Sequence, residues 1–350
     1  MLGLLLAVEW VVASGADGLA PYGALGARSA SRAARHEARS ARVLALGDSV
    51  LKFGFDPAAF DEGFGAEGAY NLAVPGTPPM LGEALLRRAL AAGARPEVIV
   101  IGYMTLSGDP RVHLNDFAEV FQPADALRLA RDARDSGLFL GVMAPRVLPT
   151  LRYRAALRAG VLASLRGGPT EPGGPFAPGV PGPSAAKASL RAWRKDRGAE
   201  LREADGRFDG RMEPDLERRL YSSQWRVHPV LARSFRRLCD LATASGASVH
   251  VVVTPIAPEA QARRDALDLD APHTRNLRAV LARSPGVTVL DARRSGYPAD
   301  AFFDSCHLNA WGAARLSADL ARAVKTPSAT SSAWVALPRV VPRIATRRTP

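Results

Sequence analysis

The sequence predicts a three-layer α/β/α domain built on a parallel sheet of five strands. Short apolar runs, several of them β-branched, end at glycine or proline, and helical patterns alternate with them. With 47% hydrophobic and 23% charged residues, the composition is that of a soluble globular protein. A chain of 350 residues can bury one large core or two modest ones.

Each predicted strand is an apolar run closed by turn residues, and together they cover 43–46, 69–74, 96–102, 248–254 and 286–291. Apolar residues at helical spacing predict helices over 78–93, 115–135, 230–245 and 272–284, and a last helix that starts near residue 309. Parallel strands place their carboxyl ends at one edge of the sheet. We expect the functional site at that edge.

This α/β domain is predicted over 42–325, with an insertion at about 143–224. Within the insertion, 166–184 repeats glycine and proline and cannot form regular structure. The insertion is expected to be either a lid over a site or a mobile loop region. Residues 326–350 are rich in Pro, Ser, Thr and Arg and predict a weakly ordered tail.

The first 41 residues predict an apolar arm and a basic helix. Residues 2–13 are apolar except for Glu9, too short to span a bilayer, and not preceded by the basic start of a signal peptide. They are interpreted as the remnant of a longer anchor or as a loose arm. A helical stripe of arginines follows, which suits an anionic lipid surface or a solvated face, at Arg28, Arg32, Arg35, Arg39 and Arg42. We expect an extracytoplasmic or membrane-associated protein, with a cytoplasmic location as the alternative.

The net charge of +12 does not indicate a nucleic-acid partner. Only four of the 46 basic residues are lysine, so the charge reflects a bias towards arginine, and no basic run contains interleaved aromatic residues. The cysteines, Cys239 and Cys306, match no metal-ligand spacing. A disulfide and two buried free thiols both remain open.

Two distant motifs carry the candidate chemistry. Gly47-Asp48-Ser49 follows the first strand, where a serine on a tight turn serves as a nucleophile or as part of a helix cap. Asp304 and His307 stand three residues apart on a turn before the last helix. A carboxylate at that spacing can orient the imidazole while its other nitrogen faces the serine. Serine, histidine and aspartate together predict a catalytic triad.

These motifs resemble the first and last sequence blocks of the SGNH (GDSL-type) hydrolases. The segment 71–76, Asn-Leu-Ala-Val-Pro-Gly, resembles the second block. Flanking segments 225–229, 253–255 and 291–297 are similar to a poorly characterised bacterial branch of that superfamily. The resemblance implies a flavodoxin-like sheet and a cofactor-free and metal-free site. It also implies Ser49 as nucleophile, His307 as base, Asp304 as its orienting group, and an oxyanion hole from the N–H groups of Ser49 and Gly76.

The third block departs from the family pattern. The family has Gly-x-Asn-Asp, whereas this chain has Gly-Tyr-Met-Thr at 102–105, so Met104 stands where the family's oxyanion-hole asparagine is expected. Removing one such donor typically costs roughly 10²–10³ in rate. Tyr103, Thr105 and Asn71 are the candidate replacements. Other residues expected to line or brace the site are Asp48 and His228.

We therefore expect a serine esterase that acts on ester-linked acyl groups, with acetyl groups on a carbohydrate as one candidate substrate. Two alternatives remain: an O-acyltransferase for an exported polysaccharide, and a non-catalytic carbohydrate-binding module. An α/β-hydrolase would carry Gly-x-Ser-x-Gly at the nucleophile, and the sequence lacks that motif. The expected partner is a small-molecule or glycan ester, with membrane association through the N-terminus as a further expectation.

Overall fold

The computed structural model describes residues 1–15, 19–165, 183–203, 214–222, 226–325 and 333–340. In these residues the strands form one six-stranded sheet, and all of its strands are parallel. The strands are β1 (Val43–Gly47), β2 (Ala69–Asn71), β3 (Val98–Gly102), β4 (Ser248–Val253), β5 (Val287–Asp291) and β6 (Trp334–Ala336). Their spatial order is β2-β1-β3-β4-β5-β6.

Helices connect and cover the strands. Those before β3 are α1 (Leu2–Ser14), α2 (Tyr22–Arg35), α3 (Ser49–Gly54), α4 (Pro57–Phe64) and α5 (Pro79–Ala91). Those between β3 and β4 are α6 (Leu114–Val120), α7 (Pro123–Ala133), α8 (Gly137–Val147), α9 (Pro149–Arg152), α10 (Arg154–Leu165), α11 (Pro183–Lys195), α12 (Pro214–Tyr221) and α13 (Pro229–Ala244). After β4 come α14 (Pro258–Ala266), α15 (Asp270–Leu281) and α16 (Ala310–Lys325), and short 3₁₀ turns cover Ala38–Ser40, Pro110–His113 and Ala299–Ala301.

Alternate side chains of each strand enter two different helix layers. In β1, Leu44 and Leu46 join the core formed with helices such as α2, α5 and α13. Val43 and Ala45 join the opposite core, formed with α3, α4 and α16. Because both sheet faces are covered, the central strands read as continuous apolar runs. The fold is therefore α/β with three layers, as the sequence predicted.

The predicted strand number was wrong, because β6 adds a sixth strand within the segment expected to be a weakly ordered tail. Its first residue, Trp334, pairs in register with Val289, and its indole N–H donates to Asp291 Oδ2 at 3.0 Å. Such a three-residue strand has too little sequence pattern to be recognised alone. Its position beside β5 supplies the backbone partners that define it.

Two element boundaries also differ from the prediction. The helix expected over 115–135 is two helices, because Gln122 caps a new helix whose first residue is Pro123. The second strand is assigned only to Asn71 instead of residue 74, although the Leu72 and Val74 N–H groups still donate to Ala45 O and Gly47 O of β1 at 2.8 and 3.0 Å. The helix break coincides with Pro123, which lacks a backbone N–H donor.

Most of the predicted Gly/Pro loop, and Trp225, lie outside the described residues, although Pro183 and the residue after it belong to α11. The predicted arginine stripe is not one helix face, because α2 ends at Arg35, Arg39 lies in a 3₁₀ turn and Arg42 precedes β1. Two of its arginines form ion pairs. Arg28 contacts Glu119 at 3.1 Å, and Arg42 contacts Glu97 at 2.7 Å. Within the described segments, none of the helices combines the length and apolar character needed to cross a bilayer.

Candidate active site

The turn after β1 presents Ser49 at the carboxyl edge of the sheet. Asp48 caps α3 by accepting the Val50 N–H at 3.0 Å, so Ser49 becomes the first helical residue. The other oxygen of Asp48 accepts the Met104 N–H at 3.0 Å. Asp48 thus ties the Ser49 turn to the segment after β3 with both carboxylate oxygens, which is a bracing role.

Ser49, His307 and Asp304 form a continuous hydrogen-bonded chain. Ser49 Oγ lies 2.8 Å from His307 Nε2, although the two residues are 258 positions apart in sequence. His307 Nδ1 lies 2.7 Å from Asp304 Oδ2. Both separations are within hydrogen-bond range, and each ring nitrogen has one partner of the expected type.

Asp304 also shapes the turn that carries the histidine. Its Oδ1 accepts the backbone N–H of Cys306 at 2.9 Å and that of His307 at 2.8 Å. One oxygen therefore holds the backbone and the other holds the imidazole. This division fixes the ring orientation relative to Ser49.

The electrostatics of the turn favour a charged pair. Burial by itself lowers the pKa of His307, but the hydrogen bonds of the ring to Asp304 and Cys306 and the charge of the Asp304 carboxylate outweigh burial, so the pKa of His307 is raised. Burial raises the pKa of Asp304, but its hydrogen bonds to His307 outweigh burial and the net pKa is lowered. Burial also raises the pKa of the Cys306 thiol, which stays protonated near neutral pH. Asp304 is therefore the group that stabilises the imidazolium.

Two aromatic rings enclose the imidazole of His307. Phe53, from α3, meets it edge-on with ring centroids 5.0 Å apart, and Phe303 stacks on it at 5.6 Å. The guanidinium of Arg202 lies over both aromatic rings, 4.8 Å from Phe53 and 5.0 Å from Phe303. These contacts limit rotation of the imidazole and shield it from water.

Arg202 belongs to residues 196–203, which follow α11 and which we call the strap. The strap runs along the site by backbone hydrogen bonds: Glu200 N–H donates to Lys52 O at 3.0 Å, and Ala310 N–H donates to Arg202 O at 2.7 Å. It therefore connects the helix that carries the serine to the helix that follows the histidine. Nothing in the sequence pattern indicated this role, because the strap lies within the predicted insertion.

A buried lysine anchors the strap. Lys52 Nζ donates to Gly198 O at 2.6 Å and lies 4.3 Å from the ring centroid of Trp193. Burial lowers the pKa of Lys52 to about 7. Gly198 has φ +89, and a Cβ there would lie 1.9 Å from Asn71 O, so only glycine permits this close approach.

A cavity of about 140 Å³ opens beside Ser49. It is lined by the serine turn, the turn after β2 and the segment after β3, namely Asp48, Ser49, Gly76, Thr77, Pro78, Met104, Thr105, Ser107, Gly108, Asp109, Pro110, Val112, His113 and Leu231. Gly76 adopts φ +69 on its wall. Thr105 Oγ1 and Ser107 Oγ are mutually hydrogen bonded at 2.5 Å, which leaves one of the two hydroxyl protons for the cavity.

Three residues expected at the site lie outside this cavity lining. The amide of Asn71 donates to the carbonyls of Leu51 and Phe55 at 2.8 and 3.0 Å, so Asn71 braces α3 and has no proton left for substrate. Tyr103 packs against Phe235, with ring centroids 6.0 Å apart. His228 caps α13, accepting the Val230 N–H at 3.3 Å.

The sequence left His113 either facing substrate or, as the favoured interpretation, on a surface loop; its side chain lines the cavity, with Nδ1 3.3 Å from Asp116 Oδ2. Its position depends on how the segment after β3 folds back over Ser49. A histidine three residues before an aspartate was the available signal, and the same spacing recurs at 304–307.

One group of potential metal ligands occurs in the described part of the chain, and it overlaps the candidate triad. The ligand atoms of Asp304, Cys306 and His307 lie within 4.8 Å of one another. A metal ion there would have to replace the hydrogen bond between Asp304 and His307. Both cysteines of the chain, Cys239 and Cys306, are free and buried.

Comparison with known proteins assigns no family to this chain. No protein-family model matches the sequence, and no curated protein is significantly similar to it.

Proposed function

We propose that this chain is a serine esterase that hydrolyses ester-linked acyl groups. The observation that carries the proposal is the Ser49–His307–Asp304 chain, with separations of 2.8 and 2.7 Å. Such a chain supplies a nucleophile, a base within reach of its proton and a group that orients the base.

In the proposed reaction, Ser49 Oγ attacks the ester carbonyl carbon while its proton moves to His307 Nε2. The imidazolium then returns that proton to the leaving alkoxide, which departs as an alcohol. Water deprotonated by His307 attacks the acyl-enzyme, releases the carboxylic acid and restores Ser49. Asp304 stabilises the positive charge on His307 during both halves of the cycle.

The negative oxygen of the tetrahedral intermediate needs hydrogen-bond donors. The Ser49 N–H is at the first residue of α3, where a helix has no internal partner for its N–H groups. Gly76 lies across the same cavity. We assign the third donor to the hydroxyl pair of Thr105 and Ser107, because the Met104 N–H is already bonded to Asp48.

The size of the cavity supports a short acyl group. A cavity of about 150 Å³ holds a molecule the size of benzene, and the cavity beside Ser49 has about 140 Å³. An acetyl or similarly short acyl group fits this space.

We further propose that the chain is an SGNH-type hydrolase, on the resemblance of its sequence blocks. The order β2-β1-β3-β4-β5 within the sheet supports this, because it is the order of flavodoxin-like folds. The site at the carboxyl ends of β1 and β3 agrees with the position of ligands in such sheets.

The decisive experiment measures p-nitrophenyl acetate hydrolysis by the wild type and Ser49→Ala. We expect the variant to lose at least about 10³ in kcat/KM, as removal of a triad nucleophile does. Ser40→Ala, at an exposed serine, is the matched control and should retain full activity. Equal rates for Ser49→Ala and wild type would refute the proposal.

Two further measurements separate the alternatives. A fluorophosphonate should label wild type but not Ser49→Ala, and absence of labelling together with sugar binding would favour a non-catalytic module. Adding a sugar acceptor tests whether the acyl-enzyme transfers its group. Acylated sugar in place of free acid would reassign the same intermediate to an O-acyltransferase.

A further inference from the structure

Helix α1 is apolar on all sides yet packs little of its surface against the protein. Leu4 is 71% exposed and Trp10 is 72% exposed. The one charged residue of the helix, Glu9, is held by Thr150, whose backbone N–H donates to it at 2.9 Å. Val12 is buried in a small cluster. The helix is therefore fixed to the domain with most of its apolar surface facing outward.

The neighbouring helices extend this apolar surface. Helix α1 packs on α9, which in turn contacts α8 and α10. The large exposed apolar residues of these three helices and of the residue between α8 and α9 are Leu140, Val147, Leu148, Leu151, Val161, Leu162 and Leu165. Soluble proteins seldom expose so many large apolar side chains on adjoining elements unless a partner covers them.

Apart from Glu9, which is bonded to Thr150, the charges of the same surface are all positive. Residues 136–165 contain four arginines and no aspartate or glutamate. Arg152 is paired with Glu119 at 3.2 Å, and Arg146 donates to Ala118 O, whereas Arg154 and Arg158 are exposed among the apolar residues of α10. This surface, made of α1, α8, α9 and α10, is called the apolar-basic face.

We propose that the apolar-basic face docks on an anionic lipid bilayer. Its apolar side chains would enter the acyl boundary while the arginines contact lipid phosphates. A second copy of the chain fits less well, because it would bring like charges together. Glu9 and Val12 hold helix α1 against the domain, so the helix would lie along the interface with the rest of the face.

The test uses the full-length protein and sedimentation of sucrose-loaded vesicles. Equimolar phosphatidylglycerol and phosphatidylcholine should bind the protein, with weaker binding at higher salt, and pure phosphatidylcholine should bind it far less. The double variant Leu4→Asp/Trp10→Asp should lower the partition coefficient by about ten-fold or more. Leu267→Asp is the matched control, because Leu267 is 51% exposed on another element.

Charge variants probe the same face without changing its apolar residues. Arg154→Gln and Arg158→Gln should each weaken binding roughly five-fold, since one basic residue near an anionic surface contributes about 1 kcal/mol. Arg283→Gln, at an exposed arginine elsewhere, should leave binding unchanged. Circular dichroism checks that every variant is folded, and hydrolysis of a soluble ester should be the same in all of them.

Several outcomes would overturn the proposal. These are no sedimentation with anionic vesicles at low salt, equal binding to both vesicle types, and equal binding by the α1 double variant. Self-association of the wild type that the double variant abolishes would assign the face to a second copy of the chain. None of these outcomes bears on the esterase proposal, because ester hydrolysis is measured separately.

Discussion

Replacing Asp304 by asparagine tests the proposed mechanism at its most specific point. Asp304 Oδ1 accepts two backbone N–H groups, from Cys306 and His307, and Oδ2 faces His307 Nδ1 at 2.7 Å. In Asp304→Asn the amide oxygen can keep both backbone bonds, so the turn is expected to stay intact. The amide N–H then faces Nδ1 and donates to it. That bond favours the tautomer with its proton on Nε2, which cannot accept the Ser49 proton.

The expected loss follows from removing base function while the geometry remains. In serine hydrolases the same change lowers kcat by about 10⁴, which corresponds to roughly 5 kcal/mol at about 1.4 kcal/mol per factor of ten. The unfolding midpoint should change little, because the backbone hydrogen bonds of the turn remain. Asp304→Ala should lose both activity and stability, since it removes those bonds as well.

The pH profile gives an independent readout of the same pair. His307 must be neutral to accept a proton, so kcat/KM should rise with pH as the imidazolium deprotonates. Because the pKa of His307 is raised, this rise should occur above the ordinary histidine range near pH 6.5. In Asp304→Asn the stabilising carboxylate is absent, so the residual activity should rise at lower pH.

The assay is p-nitrophenyl acetate hydrolysis across pH, corrected for the spontaneous reaction. Asp300→Asn serves as the control, because Asp300 is exposed four residues away. A folded Asp304→Asn protein with less than a ten-fold loss and an unshifted profile would refute the role given to Asp304.

Three further predictions concern the cavity and the strap. Met104→Asn, which places an amide donor in the cavity beside Ser49, should change kcat/KM by less than about ten-fold, as should Met104→Leu, because the Thr105–Ser107 hydroxyl pair supplies the third donor. In the wild type, the free energy of unfolding should rise by at most about 1.4 kcal/mol per pH unit between pH 7 and 10. Lys52→Met should lack this rise. The reason is that unfolded lysine is protonated in that range while burial lowers the pKa of Lys52 to about 7 in the folded state. Gly198→Ala should cost about 2 kcal/mol or more in urea denaturation, whereas Gly246→Ala, with φ +86 and no neighbour within 4 Å, should cost less.

Each of these expectations has a contrary result. A Met104→Asn enzyme at least about ten-fold faster than wild type would mean that the Thr105–Ser107 hydroxyl pair does not act as the third donor. Identical pH dependence of stability in wild type and Lys52→Met would mean that Lys52 stays protonated throughout. Equal stability losses for the two glycine variants would show that the contact with Asn71 O adds nothing beyond backbone strain.

Local sequence patterns predicted most of the sheet, because central parallel strands are buried on both faces. That burial requires the apolar runs seen in β1 and β3 and, interrupted by His250 and Thr288, in β4 and β5. β6 was missed because three residues carry too little pattern, and its pairing with Asp291 and its neighbours is non-local. The division of the helix at Gln122 was missed because its helical pattern continues through Pro123.

The site divides in the same way. Asp304 and His307 are three residues apart, so the turn that joins them could be predicted from local spacing, and Ser49 followed from its strand-end turn. Asn71 and His228 were expected to line or complete the site. Their side chains instead form hydrogen bonds with nearby backbone groups and do not face the cavity. The chemical type of a residue alone does not indicate where its side chain points.

The sequence by itself determined the parallel α/β core, the serine turn and the aspartate–histidine turn, because each depends on residues within one short segment. Only the tertiary structure decided that Ser49 and His307 meet at 2.8 Å, and that a strap anchored by Lys52 and Gly198 places Arg202 over the aromatic rings beside the imidazole. Those contacts join residues more than a hundred positions apart. Their geometry depends on how the helices pack on the sheet, which no local pattern encodes.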